Sequence, residues 1–104
     1  VAAAQSALPA EARGSVVSVY RDNDRTIMLP QGWRGVTPAE QSIVVHEMVH
    51  HLQNVGQLHF ICPQEREAMA YEAQEKWLQQ FGKSLASEFK LDAFTVMVNS
   101  HCLR

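Results

Sequence analysis

The chain lacks any long apolar run. Nothing in its 104 residues approaches the roughly 18 consecutive apolar residues of a membrane span, so no membrane insertion is expected. It also lacks a surplus of positive charge. Nine Lys and Arg stand against eleven Asp and Glu, for a net charge of −2, with an isoelectric point near 6.2. No basic face follows from that balance, and nucleic acid is a poor partner. Internal repeats, low-complexity runs and interdomain linkers are absent, so one small domain over residues 1–104 is expected. A hydrophobic content of 46% is enough for a core and excludes a disordered chain. Cysteine is scarce, with only Cys62 and Cys102. An even count in an exported protein predicts that they pair. The chain opens on Val1 rather than Met, and Val1 to Ala4 is like the small-residue end of a signal peptide, although no apolar segment precedes it. The expected location is extracytoplasmic, periplasmic or secreted, and the expected state is a monomer.

What is present is a run of short elements. Residues 1–13 are Ala-rich and read as a short helix interrupted at Pro9, or as a frayed arm ending at Gly14. Ser15 to Tyr20 is β-branched and aromatic and predicts a strand. Asp22-Asn23-Asp24 is a turn cluster, and Thr26 to Leu29 predicts a second strand stopped by Pro30. Thr37-Pro38-Ala39-Glu40 is a capping box with Pro at the first helical position, and Gly56 stands where a helix should end. Pro63 opens a second predicted helix that runs to about Phe81 and stops at Gly82. Leu85 and Phe89 suggest one further turn, and Asp92 caps a last predicted helix carrying Phe94, Val96, Met97 and Val98. The expected class is α+β: a short N-terminal hairpin or small sheet packed on one long helix, a second long helix, and a helical C-terminal segment.

The chemistry concentrates in His46-Glu47-Met48-Val49-His50. Histidines four apart on a helix project about 40° apart, so one small ion fits between their imidazoles. Glu47 lies about 100° round from His46, too far to be a third ligand but near enough to reach a water on the ion. On the same wheel Gln41, Val45, Met48, Val49, Leu52 and Val55 fill an arc of about 120°, which predicts the core-facing side. His46 and His50 lie beside that arc with Ser42, Ile43 and Gln53, at the rim of the core. On the second helix Glu67 sits mid-way along the predicted inward face, with Tyr71, Gln74, Leu78, Ala70, Trp77 and Phe81 around it. Glu65 points about 160° away. An unpaired carboxylate facing a core is costly, and a zinc ion between it and the two histidines removes that cost. Without an ion, Glu67 would pair with a polar core group.

His46, Glu47 and His50 form the H-E-x-x-H pattern of zinc metallopeptidases. The extended pattern with Gly at position 53 and His at position 56 is not met, because Gln53 and Gly56 stand there; the metzincin reading fails. With Glu67 added, the chain resembles the gluzincin metallopeptidases, and at this size the minigluzincins. Glu67-Ala68-Met69-Ala70-Tyr71 resembles their E-x-x-A-D helix motif, with Tyr71 in place of Asp. The resemblance covers residues 15–81 and implies a zincin-like fold. It implies zinc held by His46, His50 and Glu67, with Glu65 as fallback ligand, and Glu47 as general base in peptide-bond hydrolysis of a protein or peptide. It further implies that Thr26 to Leu29 lies along the cleft and pairs with an extended substrate. Tyr71 and His101 are both candidates for oxyanion donor. Gln53 and Gln74 flank the metal edge and are candidates to hydrogen-bond the ligands. The alternative is a non-catalytic zinc-binding module that docks a partner protein. His51 reads as a surface residue, His59 as solvated, Trp77 and Phe81 as core, and Met28, Met48, Met69 and Met97 as filler.

Overall fold

A computed structural model of the chain describes residues 2–5 and 19–102. Strand β1 is Ala2–Gln5, β2 is Val19–Arg21 and β3 is Thr26–Leu29. Helices follow in the order α1 (Pro38–Val55), α2 (Glu65–Gln79), α3 (Leu85–Phe89) and α4 (Ala93–Asn99). The class is a small mixed α+β fold, as expected. Strands β2 and β3 form the predicted hairpin, with Tyr20 opposite Ile27. Its turn carries an Arg21–Asp24 ion pair at 2.7 Å, and Arg25 takes the left-handed conformation at φ 53°. Of the predicted strand from Ser15 to Tyr20, residues 15–18 lie outside the described residues.

Two expectations change here. Ala2–Gln5 is neither helix nor frayed arm; it pairs parallel to β3, Ala2 beside Thr26 and Gln5 beside Leu29. Alanine favours helix, but four residues cannot sustain one alone, whereas the open edge of β3 offers each backbone group a partner. Consequently β3 is the central strand, in the order β1-β3-β2, and the expectation that Thr26 to Leu29 pairs with a substrate is overturned, because both of its edges are taken. Side chains of β3 alternate, with Ile27 and Leu29 buried. They meet Ile43 from α1, and Tyr20, Trp33, Val44, Met48 and Phe89 pack around them.

Helix α1 starts where its capping box predicts. Thr37 Oγ1 accepts from the Glu40 amide at 3.1 Å, and Glu40 Oε1 accepts from the Thr37 amide at 3.2 Å. At the other end Gly56 remains right-handed, and Gln57, at φ 55°, makes the left-handed turn. The buried side of α1 departs from the predicted arc. Buried are Ser42, Ile43, His46, Glu47, His50 and Gln53, while Leu52 is 64% and Val55 49% exposed. The wheel weighted side chains by hydrophobicity, but α2 covers the polar edge, where hydrogen-bonding partners wait.

Helix α2 is shorter than predicted by two residues at each end, because turns precede and follow it. The Glu65 and Arg66 amides bond back to the Cys62 and Pro63 carbonyls. Gly82, at φ 70°, reverses the chain after it. Ala70, Gln74 and Leu78 are buried as expected, but Phe81 is 47% exposed and sits tilted against the half-buried Trp77 rather than entering the core. Asp92 caps α4 by accepting from the Thr95 amide at 2.8 Å. A Cys62–Cys102 disulfide, with Cα atoms 5.8 Å apart, ties the end of the chain to the start of α2. No helix among the described residues is long and apolar enough to cross a membrane.

The disulfide closes a loop of 40 residues, and chain-entropy arguments assign such a loop roughly 3–4 kcal/mol. Reduction, or Cys102→Ser, should lower the free energy of unfolding by about that amount, read by urea denaturation. A change under about 1 kcal/mol would show that the bridge does not constrain the unfolded chain as that model requires.

Candidate metal centre

The site is built where α1 and α2 face each other. Four residues of one α1 edge point inward: His46, Glu47, His50 and Gln53, all buried. From α2 comes Glu67, whose carboxylate meets both imidazoles. Its Oε1 lies 2.8 Å from His46 Nε2, and its Oε2 lies 3.0 Å from His50 Nε2. The two rings stand edge-on at a centroid distance of 5.2 Å.

The far side of each ring fixes where its proton sits. His46 Nδ1 is 2.9 Å from Gln74 Oε1. The orientation of that amide follows from its other end, since Gln74 Nε2 donates to Ser42 Oγ, which itself donates to the Ala39 carbonyl. Thus Gln74 presents its oxygen, and His46 Nδ1 must carry the hydrogen. Likewise His50 Nδ1 is 2.9 Å from Gln53 Oε1, and Gln53 Nε2 donates to the Arg66 carbonyl at 3.0 Å. Both neutral imidazoles therefore turn a bare Nε2 lone pair towards Glu67.

A lone pair facing a carboxylate oxygen needs positive charge between them. Without an ion, a proton on His50 can supply it. Burial alone would raise the Glu67 carboxyl, but the hydrogen bonds and charges of His46 and His50 outweigh it and hold the group at about 2. Burial would lower His50, but Glu67, Gln53 and Glu47 together shift it upward. A metal ion supplies the same charge. Ligand atoms of His46, Glu47 and His50 all lie within 4.8 Å of one another, so this group could bind a metal ion. Two imidazole nitrogens and a carboxylate suit a divalent transition metal.

The cleft in front of these groups has a volume of about 650 Å³. Tyr71 stands at its edge with its ring 4.8 Å from that of His46; burial and the Glu67 charge raise its hydroxyl pKa. Val19 and Tyr20 of β2, Ile43, and Phe89 and Leu91 form apolar walls. Among the described residues β2 has β3 on one side only.

Other candidates lie elsewhere. Glu65 turns away and accepts from the Ile61 amide at 3.4 Å. His101 is exposed and donates from Nδ1 to the Met97 carbonyl at 2.7 Å, and His59 is exposed. His51 is not a plain surface residue. It is half-buried, and its Nδ1 shares a 2.8 Å hydrogen bond with the Tyr20 hydroxyl, which also accepts from Asn54. Sequence reasoning missed Ser42 as a partner, although its place on the histidine edge of the wheel was a usable signal. It also missed the two-pronged Arg66–Asp22 pair, at 2.9 and 3.0 Å, which joins α2 to the hairpin turn and has no local pattern.

Over residues 1–104 the chain matches a family model described as Domain of unknown function (DUF6647). No curated protein and no solved structure matches it.

The pKa directions give a pH dependence for the metal-free protein. Glu67, held at about 2 against an ordinary 4.5, contributes stability that is complete above about pH 4.5 and lost as the pH falls towards 2. His50, shifted upward from 6.5, contributes stability that is complete below that value and lost as the pH rises through its folded pKa. Melting temperatures of chelator-treated protein should fall on the acid side over that window, and Glu67→Gln should flatten this fall. An acid limb identical in both proteins would contradict the assignment.

Proposed function

We propose that this chain, which belongs to the DUF6647 family, is a zinc-dependent peptidase with His46, His50 and Glu67 as metal ligands and Glu47 as general base. The observation that carries this reading is the pair of histidine Nε2 atoms converging on one carboxylate at 2.8 and 3.0 Å, with a second carboxylate beside them in an open cleft. A bound zinc ion would polarise the scissile carbonyl and make a water acidic enough to lose a proton near neutral pH.

The chain's own residues do the rest. Glu47 accepts the proton of the attacking water and returns it to the leaving amine. Tyr71, with a raised pKa, stays protonated at neutral pH and, because it lines the cleft beside His46, is the residue assigned to donate to the developing oxyanion. His101 has no such role, since it lies away from the cleft lining. An extended peptide would lie along the outer edge of β2, which borders the cleft, rather than along β3. The Cys62–Cys102 bridge fits an oxidising, extracytoplasmic compartment.

A second reading has one observation in its favour. Leu52, Leu58 and Met69 are exposed and line one groove between α1, its following turn and α2, as those of a partner-docking zinc module would. The presence of Glu47 favours the peptidase, because a structural zinc closes its fourth position with protein and has no use for a carboxylate there.

Metal analysis of the purified protein should find one zinc per chain. Glu67→Ala should abolish tight zinc binding and Glu65→Ala should leave it; the reverse result would refute the ligand set. Glu47→Gln should keep zinc and lose hydrolysis of a mixed peptide pool by about 10²–10⁴-fold, a barrier increase of roughly 3–5 kcal/mol. Equal cleavage by the zinc-loaded wild type and Glu47→Gln would refute the mechanism.

A further inference from the structure

We propose that Gln53 and Gln74 are the positioning residues of the metal centre, and that they do different work although they make the same bond to a histidine. The inference rests on the ligand role assigned above to His46 and His50. Each glutamine offers its amide oxygen to a ring Nδ1 at 2.9 Å, and each is almost wholly buried, at 5% exposure for Gln74 and 3% for Gln53. A group in that place fixes the tautomer and the ring plane, which carboxylates and backbone carbonyls commonly do for ligand histidines. Here two neutral amides do it, so the centre carries no further negative charge behind its ligands.

The difference is in the other end of each amide. Gln74 crosses from α2 to α1 and donates to the Ser42 hydroxyl, a group that can rotate and donate instead. Gln53 crosses from α1 to α2 and donates to the Arg66 carbonyl, which can only accept. Arg66 directly precedes Glu67, so Gln53 connects the second imidazole to the backbone that carries the opposing carboxylate. Gln53 therefore sets the distance between His50 and Glu67 as well as the His50 tautomer. Gln74 sets the orientation of His46.

Glutamate substitution separates these roles. In Gln74→Glu the carboxylate still accepts from His46 Nδ1, and Ser42 can turn to donate to it. In Gln53→Glu the carboxylate still accepts from His50 Nδ1, but its second oxygen faces the Arg66 carbonyl with no hydrogen between them. Methionine substitution removes the acceptor at either position with little change in volume.

Two readouts test this on the full chain. Nitrogen NMR of the metal-free protein at about pH 8 reports whether each Nδ1 carries hydrogen, and competition with a coloured chelator reports zinc affinity. Gln74→Met should remove the hydrogen from His46 Nδ1 alone and Gln53→Met from His50 Nδ1 alone. Each should weaken zinc binding by about 10–100-fold. Gln74→Glu should restore the tautomer and bring zinc affinity back to less than about tenfold below wild type, the lower bound of such losses. Gln53→Glu should restore the tautomer but not the affinity. Unchanged tautomers in the methionine variants would overturn the proposal, as would equal rescue at both positions. If wild type bound no zinc, the ligand assignment would fail, and the tautomers would still decide whether the glutamines position the rings.

Discussion

The structure depends on how positive charge is supplied between two buried imidazoles and one half-buried carboxylate. Glu67 faces His46 and His50, and each imidazole turns its lone-pair nitrogen towards it. The glutamines behind the rings prevent either ring from relieving the conflict by moving its proton to Nε2. That conflict shapes the packing of the two long helices. Helix α1 buries Ser42, His46, Glu47, His50 and Gln53 and leaves Leu52 and Val55 exposed. Burying so many polar groups is unfavourable unless each finds a partner. The Ser42–Gln74–His46 chain and the His50–Gln53–Arg66 chain supply them. Because these bonds have direction and few alternatives, they also fix the register of α1 against α2, which an apolar seam alone would leave looser.

The remainder of the fold brackets this seam. The apolar core of Ile27, Leu29 and Ile43 is small and lies between the sheet and the α1 side. The hairpin is fastened to both helices by polar contacts: Tyr20 to His51 and Asn54 on α1, and Asp22 to Arg66 on α2. Arg66 is the junction. Its guanidinium holds the hairpin turn, its carbonyl accepts from Gln53, and its neighbour is Glu67. A chain of this size has a limited core and gains from staples. The Cys62–Cys102 bridge is one such staple, and a cation at the helix seam would be another.

Local signals in the sequence carried over to the structure. The Thr37 capping box, the i, i+4 histidines, Glu67 on the inward face of α2, the hairpin turn and the Asp92 cap all depend on residues within a few positions of one another, and all are where the sequence placed them. Long-range signals did not carry over. Which face of α1 is buried is decided by what α2 offers to it, and a hydrophobic wheel takes no account of hydrogen-bonding partners on another helix. The strand at Ala2–Gln5 owes its form to the open edge of β3, not to its alanines. That pairing moved the free edge beside the cleft from β3 to β2. The Arg66–Asp22 pair joins residues 44 positions apart and leaves no periodicity to read.

Proton and metal compete for the same two lone pairs, and this links stability to occupancy. In the metal-free chain the Glu67 carboxylate favours a proton on His50 and raises its pKa, and the two histidines beside Glu67 hold the pKa of its own carboxyl down. A divalent ion would need those nitrogens bare, so binding must release whatever protons they hold. The glutamines act on both states. They keep hydrogen on Nδ1, so that only Nε2 is left to take a proton or a metal, and they hold that nitrogen towards Glu67 in either case. On that reading the site would be built before an ion arrived, and an ion entering it would meet ligands already oriented. Such preorganisation lowers the cost of ordering side chains on binding, and the apolar face left exposed on α1 is the other side of the same choice: the helix turns its polar edge inward to make the site.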